Sequence, residues 1–398
     1  MLRILLVNPR VSTRMRPPLG LAYLAAVLDK EGYKPKVHEF MPDNKVSDEF
    51  EEIVQNEKPD IIGFTCTTPQ FSLALKLANK AKEINPKIIN VFGGVHPTAV
   101  PLEAIKKPSV DIVIVGEGEY SLLATVKAVE KNISLREVKG IVYKEDSEII
   151  QTEPRELIQN LDELPFPARH LLNMDWYSKR NSLIRGCWRK TTTLITSRGC
   201  PGQCIYCSSH KVFGRKIRYR SVDNIIEEIR FLIRKYDIDS IWFVDDTLTV
   251  NSDFITKLCQ KLISNSVHVK WACQSRVNTL NENILKLMKK AGCIQIEFGV
   301  ESGSDKILKT LKKNVTIKQS KEAFRLCRKL GIRTMANFMI GNPDETLEDV
   351  RKTEQLAKEI KADYTEFFIT TPYPGTELYE LAMENNWLRE GDCFYGRE

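Results

Sequence analysis

The sequence has no long hydrophobic run. No stretch approaches the ~20 consecutive apolar residues that span a bilayer, so we expect no transmembrane segment. The first residues, Met1 to Asn8, form a short apolar run that Pro9 ends, and they lack the apolar core and the cleavage site of a signal peptide. We interpret this run as a first β-strand and expect a cytoplasmic protein.

A concentrated tract of one charge is also missing. The 398 residues carry a formal net charge of +7, and Lys and Arg are scattered among acids instead of forming one basic tract. We therefore expect no nucleic-acid partner. A hydrophobic content of 42% and a charged content of 28% are typical of globular domains, and the length predicts two or three of them.

Only three of the ten cysteines are clustered, which argues for a reducing compartment and against a disulfide framework. Cys200, Cys204 and Cys207 follow a β-rich run at the spacing C-x3-C-x2-C. Such a loop can turn three thiolates toward one point, and thiolates are the usual ligands of iron–sulfur clusters. A four-iron cluster takes four ligands, so three cysteines would leave one iron open to a small molecule.

A structural zinc site is the alternative for these cysteines. Zinc sites usually show a second pair of Cys or His ligands, and the nearest later candidates, His210 and Cys259, fit no such spacing. We interpret the other seven cysteines as core or surface residues. They are Cys66, Cys187, Cys259, Cys273, Cys293, Cys327 and Cys393.

Residues 1–135 alternate apolar strands with amphipathic helices. This order predicts a doubly wound α/β domain with a parallel sheet covered on both faces. Ligands bind such sheets at the carboxyl ends of the strands, and three of these ends, at Thr65, Gly93 and Gly116, carry glycines or threonines. Residues 136–190 are predicted to be a connector, with a hairpin and then an extended segment around Pro165 and Pro167.

Residues 191–375 contain six predicted strands, each but the last followed by a helix, which indicates a partial (β/α)6 barrel. Polar and glycine residues gather at the strand ends, where barrel enzymes place their sites. Thr316 and Gln319 form a predicted capping box for one helix, and Ser252 is the predicted cap of another. Residues 376–398 are predicted to be a short helical segment.

With Tyr206 before its third cysteine, the cysteine loop resembles the signature of the radical SAM superfamily. The resemblance implies a [4Fe-4S] cluster on the three cysteines that cleaves S-adenosylmethionine (SAM) to a 5'-deoxyadenosyl radical. It also implies an electron donor such as flavodoxin or ferredoxin. The SAM contacts that it implies are Tyr206, Asp245, Asp246, Arg276, Glu301, Ser302, Gly341, Asn342 and Thr371.

The first domain resembles the cobalamin-binding domain of cobalamin-dependent radical SAM proteins. The cobalamin contacts that this implies are Pro18, Leu19, Gly20, Thr65, Thr67, Gly93, Gly94, His96, Gly116, Glu117 and Gly118. The D-x-H-x-x-G pattern that supplies a histidine to cobalt in other cobalamin domains is absent. We therefore interpret His96 as a turn residue or a contact to the nucleotide tail.

Together the two resemblances imply a C-methyltransferase in which cobalamin carries a methyl group to an unactivated carbon of a small-molecule, lipid or tetrapyrrole-like substrate. One alternative is a radical cyclase or C–C bond-forming enzyme of the same architecture. A second is a tRNA methylthiotransferase, although that family usually has three cysteines in its first domain, where this chain has only Cys66. A third is a corrinoid or iron–sulfur carrier without catalytic activity.

Overall fold

The computed structural model describes residues 1–11, 16–41, 45–146 and 148–388. Cys393 and the last part of the segment 376–398 lie outside the described residues. Within the described parts, no helix is both long enough and apolar enough to cross a membrane.

The first half of the chain forms a seven-stranded sheet, which we call, together with the helices that cover it, the first layer of the molecule. Its strands in chain order are β1 (Ile4–Pro9), β2 (Lys36–Phe40), β3 (Ile61–Thr65), β4 (Ile89–Gly93), β5 (Ile112–Ile114), β6 (Ile141–Glu145) and β7 (Glu148–Gln151). The spatial order is β2-β1-β3-β4-β5-β6-β7, parallel through β5 and antiparallel from β5 to β7. The hairpin that the sequence assigns to the connector therefore extends this sheet, because β6 pairs with β5.

Helices cover both faces of this sheet, as the alternation of elements predicts. The helices are α1 (Leu19–Lys30), α2 (Val46–Glu57), α3 (Phe71–Ile84), α4 (Val95–Ala99), α5 (Pro101–Ile105) and α6 (Glu119–Lys131). Leu21 of α1 and Leu122 of α6 belong to the core on one face, and Phe50 of α2 and Leu77 of α3 belong to the core on the other. The sheet is buried on both sides, which explains its continuous apolar strands.

The second layer is a six-stranded parallel sheet with an outer layer of helices. Its strands are β8 (Thr191–Leu194), β11 (Ser240–Phe243), β12 (Lys270–Ser275), β13 (Cys293–Glu301), β14 (Arg333–Ile340) and β15 (Tyr364–Ile369). They neighbour each other in chain order, from β8 to β15. Over the described residues β8 and β15 do not pair, so the predicted partial barrel is confirmed and remains open at one side.

The remaining elements of the second layer precede, join or follow its strands. They are α7 (Met174–Tyr177), β9 (Ser197–Arg198), α8 (Ser209–Phe213), β10 (Arg218–Tyr219), α9 (Val222–Tyr236), α10 (Ser252–Ser264), α11 (Glu282–Lys290), α12 (Asp305–Thr310), α13 (Ile317–Lys329), α14 (Leu347–Ile360) and α15 (Glu377–Glu384). The Thr316–Gln319 capping box of α13 is confirmed. The cap of α10 is Asn251, whose side chain accepts from the backbone of Asp253 and Phe254, so the prediction of Ser252 was wrong.

One side chain of the connector lies inside the protein. Arg169 is 1% exposed; it donates to the backbone oxygen of Thr193 at 2.7 Å and pairs with Glu228 at 3.1 Å. Arg220 pairs with the other carboxylate oxygen of Glu228 at 2.5 Å. The connector is thus fixed to the first barrel strand by a buried charge cluster.

Candidate functional site

The three cysteines of the C-x3-C-x2-C loop line one cavity of about 650 Å³ at the carboxyl ends of the barrel strands. The loop is shaped by its backbone. Gly199 has φ of +99°, and a Cβ there would lie 2.4 Å from the carbonyl oxygen of Lys216. Ile205 donates its N–H to the carbonyl of Leu311 at 3.2 Å, and its side chain is buried beside Ile307.

The cysteine loop holds two of its sulfurs on one side. Among the described residues, no three His, Cys, Asp or Glu side chains converge closely enough to hold one metal ion. The Cβ position at Gly202 lies 3.3 Å from the sulfur of Cys200 and 3.9 Å from that of Cys204, so both sulfurs lie on the same side of the loop. Burial raises the pKa of the Cys207 thiol to about 11, so bound iron would be required to hold it as a thiolate.

Five of the nine residues predicted to contact SAM line this cavity. They are Tyr206, Asp246, Arg276, Glu301 and Thr371. The guanidinium Nη1 of Arg276 lies 3.7 Å from the sulfur of Cys204, and its Nη2 donates to the carbonyl of Lys313. Asp246 accepts a hydrogen bond from Ser209, and burial raises the pKa of Asp246.

Glu301 is held by two partners. Its Oε1 accepts from the Tyr206 hydroxyl at 2.9 Å and from Nζ of Lys313 at 2.6 Å. The residue has φ of +67°, at a point where the register between β13 and β14 shifts. Backbone outliers of this kind concentrate at functional sites. A Cβ at Gly299 would lie 2.3 Å from Glu301 Oε1, so glycine at position 299 leaves space for this group.

The other four predicted SAM contacts do not line this cavity. Asp245 is completely buried, and its Oδ1 accepts from the hydroxyls of Thr196 at 2.8 Å and Ser197 at 2.6 Å. Ser302 is buried with its hydroxyl 3.1 Å from that of Thr353.

Gly341 and Asn342, the last of these four, donate to the carboxylate of Glu345. Together with Asp245 and Ser302, they shape strand ends in this structure, and their role as SAM contacts stays a prediction.

A second cavity, of about 270 Å³, lies where the carboxyl edge of the first sheet meets the barrel. Nine of the eleven residues predicted to contact cobalamin line it. They are Leu19, Gly20, Thr65, Thr67, Gly93, Gly94, Gly116, Glu117 and Gly118. The glycines leave room for a ligand: a Cβ at Gly20 would meet nothing within 4 Å, and at Gly93 and Gly116 nothing closer than 3.8 Å.

His96 and Pro18 are outside the lining of this second cavity. His96 is 1% exposed, its ring centroid lies 4.3 Å from that of Phe71, and its Nδ1 lies 3.2 Å from the hydroxyl of Thr68. Burial lowers the pKa of His96 to about 4. The ring is therefore a neutral part of the core in this structure, and a contact to the cobalamin tail remains only a prediction.

The wall between the two layers of the molecule carries a buried ion-pair network. Glu117 pairs through its two oxygens with Arg198 at 2.9 Å and Arg218 at 2.8 Å. Arg198 also pairs with Glu119 at 2.5 Å. All four side chains are less than 7% exposed. Glu117, predicted as a cobalamin contact, thus lines the cavity and also holds the barrel against it.

The two cavities are close neighbours along the chain. Arg198 lines the second cavity and Cys200 the first. On the adjacent strand end, Val244 lines the second cavity and Asp246 the first. The strand ends after β8 and β11 therefore form a partition that is only a few residues thick.

Sequence reasoning missed several residues of the first cavity. They are Thr247, Gln274, Ser275, Glu297, Gly299, Lys313, Asn337, Met339, Phe368 and Ile369. Several of them lie on the inner face of a barrel strand. The alternation of side chains along β13, where Ile296 and Phe298 face the helices, is the signal that could have identified Glu297.

Each half of the chain matches the model of a known protein family. The family model of the radical SAM superfamily matches residues 194–357, and that of the B12 binding domain matches residues 12–126. An uncharacterized methyltransferase of Pyrococcus horikoshii, PH0819, is 38% identical over 97% of this chain and 84% of that protein. The anaerobic magnesium-protoporphyrin IX monomethyl ester cyclase of Rubrivivax gelatinosus is 30% identical over 92% of this chain and 66% of that protein.

A solved structure has the same fold. The radical SAM methyltransferase TsrM from Kitasatospora setae, with tryptophan substrate and a SAM analog bound, superposes with a TM-score of 0.83. The match covers 98% of this chain and 78% of that one at 18% identity. Both layers and their order in the chain are thus shared with TsrM.

Proposed function

The chain belongs to the radical SAM superfamily and carries a B12 binding domain, and on this premise we propose that it is a cobalamin-dependent C-methyltransferase for a small molecule. The observation that carries the proposal is the thin partition between the two cavities, with Arg198 on one side and Cys200 on the other. A substrate in the first cavity would lie next to both cofactors. When bound, the cluster and SAM supply a radical that removes hydrogen from carbon, and cobalamin supplies the methyl group.

The residues of this chain would bind and orient the cofactors. Cys200, Cys204 and Cys207 would hold the cluster, and the cavity beside them offers Arg276 and the Glu301–Lys313 pair to the charged groups of SAM. The glycines of the second cavity allow the corrin to approach the backbone. No side chain lining the first cavity is required as a base, because hydrogen is removed as an atom.

The test is anaerobic reconstitution with iron, sulfide and hydroxocobalamin, followed by reduction in the presence of SAM. We expect the protein to hold near-stoichiometric cobalt and cluster iron. We also expect it to form 5'-deoxyadenosine and S-adenosylhomocysteine. The Cys204→Ala variant should lose the cluster and 5'-deoxyadenosine but retain cobalt. Cys259→Ala, at a buried position among the helices, is the matched control and should retain both. Full 5'-deoxyadenosine production by Cys204→Ala would refute the cluster assignment.

A second candidate is a radical cyclase, which the similarity to the R. gelatinosus cyclase favours. The same experiment separates the two functions. Formation of 5'-deoxyadenosine without S-adenosylhomocysteine, on a protein that holds cobalt, would support the cyclase. A cluster without cobalt would exclude the cobalamin-dependent methyltransferase.

We propose that the electron for SAM cleavage comes from another protein. We propose a flavodoxin or ferredoxin as the donor and the cytoplasm as the place of action. The nine cysteines within the described residues are all free thiols, which is typical of a reducing compartment. Reduction of the cluster by a flavodoxin system, followed by its EPR signal, checks the donor.

A further inference from the structure

The inner face of the barrel is polar below the cysteine loop. Strand register pairs Gln274 of β12 with Glu297 of β13, and Asn337 of β14, which pairs with Gly299 two residues further along β13, reaches back to Glu297 through its side chain. Gln295, two residues before Glu297, faces the same way one level deeper because side chains alternate along a strand. Barrels that are filled by their own core carry branched apolar residues at such positions, so this interior is built for a ligand.

Several polar atoms of this inner face have no partner. Asn337 donates its Nδ2 to Glu297 Oε1 at 2.6 Å, but its own Oδ1 accepts nothing within the part of the chain that the structure describes. Gln295 is 0% exposed, and neither its amide oxygen nor its amide nitrogen has a described partner. Buried polar side chains are nearly always hydrogen-bonded, so the unpartnered oxygen of Asn337, which lines the cavity, indicates a partner from outside the chain.

The charges of the cavity show which partner fits. Glu301 is paired with Lys313, and Arg276 faces Cys204. Glu297 has only the neutral amide of Asn337 and no cation within 4 Å among the described residues. A carboxylate beside unpaired acceptors attracts a hydrogen-bond donor and repels an anion.

The upper wall of the cavity is apolar. Met339, Phe368, Ile369 and Tyr373 line it on the side of β14 and β15. Phe368 and Ile369 are 47% and 77% exposed, so their apolar surface is available above the polar floor. The cavity therefore combines a polar bottom with an apolar mouth.

We propose that Glu297 and Asn337 form a subsite for the ammonium or hydroxyl group of an amphiphilic substrate, whose apolar part contacts Met339 and Phe368. The proposal rests on the proposed function in one respect, that this cavity receives the substrate. It assigns to the substrate a hydrogen-bond donor at the end that enters the barrel first and excludes a carboxylate at that end.

The test uses n-octylamine, 1-octanol and octanoate as probes, with binding to the full-length protein measured by calorimetry. We expect the amine and the alcohol to bind at least about tenfold more tightly than octanoate, as for a charge-assisted hydrogen bond. Glu297→Gln should abolish the preference for the amine. Glu322→Gln, an exposed acid on α13 paired with Arg325, is the matched control and should keep it.

Three results would overturn the subsite: equal binding of octanoate, no binding of either donor probe, or an unchanged preference in Glu297→Gln with wild-type iron content. A fourth would reassign Glu297 to SAM: a weaker affinity of the variant for SAM measured without any probe. Cleavage of SAM by the wild-type protein, measured on the same preparation, tests the proposed function separately. A protein that cleaves SAM but shows no preference among the probes rejects the subsite alone.

Discussion

Oε1 of Glu117 lies 2.9 Å from Nη1 of Arg198, and this contact joins the first sheet to the segment that leads into the cysteine loop. The two residues are 81 positions apart in the chain. Both are buried, and Glu117 has a second cation, Arg218, at its other oxygen. The pair is therefore a structural link between the two cofactor cavities.

Removal of this carboxylate should destabilise the protein strongly. In Glu117→Ala, two buried guanidinium groups lose a partner, and we expect the free energy of unfolding to fall by about 3–5 kcal/mol. Urea denaturation of the cofactor-free protein measures the change. Glu145→Ala, which removes an exposed pair with Arg136, is the control and should leave the urea midpoint almost unchanged. Equal effects of the two variants would show that the buried network adds no stability.

The conformation of Gly199 should control the cluster. A Cβ at position 199 would overlap the carbonyl oxygen of Lys216, so Gly199→Ala has to displace the cysteine loop. We expect the iron content after reconstitution to fall to a small fraction of the wild-type value. Gly32→Ala is the matched control, because Gly32 also has a positive φ but no atom lies within 4 Å of its Cβ position.

The Gly32→Ala variant should lose about 1–2 kcal/mol of stability from its left-handed backbone and retain its iron. Full iron content in Gly199→Ala would contradict the assigned role of the loop geometry.

A larger side chain at Gly20 should exclude cobalamin without harming the fold. Gly20 lies in the first turn of α1, lines the second cavity and has open space at its Cβ position. We expect Gly20→Leu to bind less than a tenth of the wild-type cobalt, and Gly20→Ala to retain it. Both variants should be as stable as the wild type or up to about 1 kcal/mol more stable, since glycine is unfavourable in helices. Normal cobalt binding by Gly20→Leu would place the corrin elsewhere.

His96 should make the protein less stable in mild acid. Its pKa is about 4 in the folded state because burial disfavours the charged ring, against about 6.5 in the unfolded chain. The unfolded state therefore binds the extra proton between these values. The contribution of His96 to the free energy of unfolding is fully present above pH 6.5. It is lost as the pH falls toward 4, by up to about 3 kcal/mol.

His96→Gln should reduce this pH dependence between pH 6.5 and 4, and thermal unfolding over that range measures it. A smaller slope should remain, because burial also lowers the pKa values of His38 and His210. His170→Gln, at an exposed position, is the control and should preserve the slope. An unchanged slope in His96→Gln would mean that another group titrates.

Local patterns predicted the elements of this fold well, because their causes are local. The capping box of Thr316 and Gln319 spans three residues, and the glycines after β4 and β5 mark the strand ends that line the second cavity. The C-x3-C-x2-C spacing of the cysteine loop is likewise a local pattern. Alternation of strands and helices was enough to predict both layers.

The sequence could not show which strand-end residues face a cavity and which face another part of the chain. Glu117 has the context of a ligand contact, but its partners Arg198 and Arg218 are 81 and 101 residues away. Asp245 and Asp246 are adjacent in sequence, and only Asp246 lines the first cavity, because side chains point alternately. Such distinctions depend on packing between the two layers.

The thin partition also restricts how this protein can change. Val244 and Asp246 lie two residues apart in the loop that follows β11 but line different cavities, so one inserted residue there would displace side chains that face both cofactors. A substitution at this tip alters one pocket, whereas an insertion would alter both at once. The segment should therefore tolerate changes of residue type far better than changes of length.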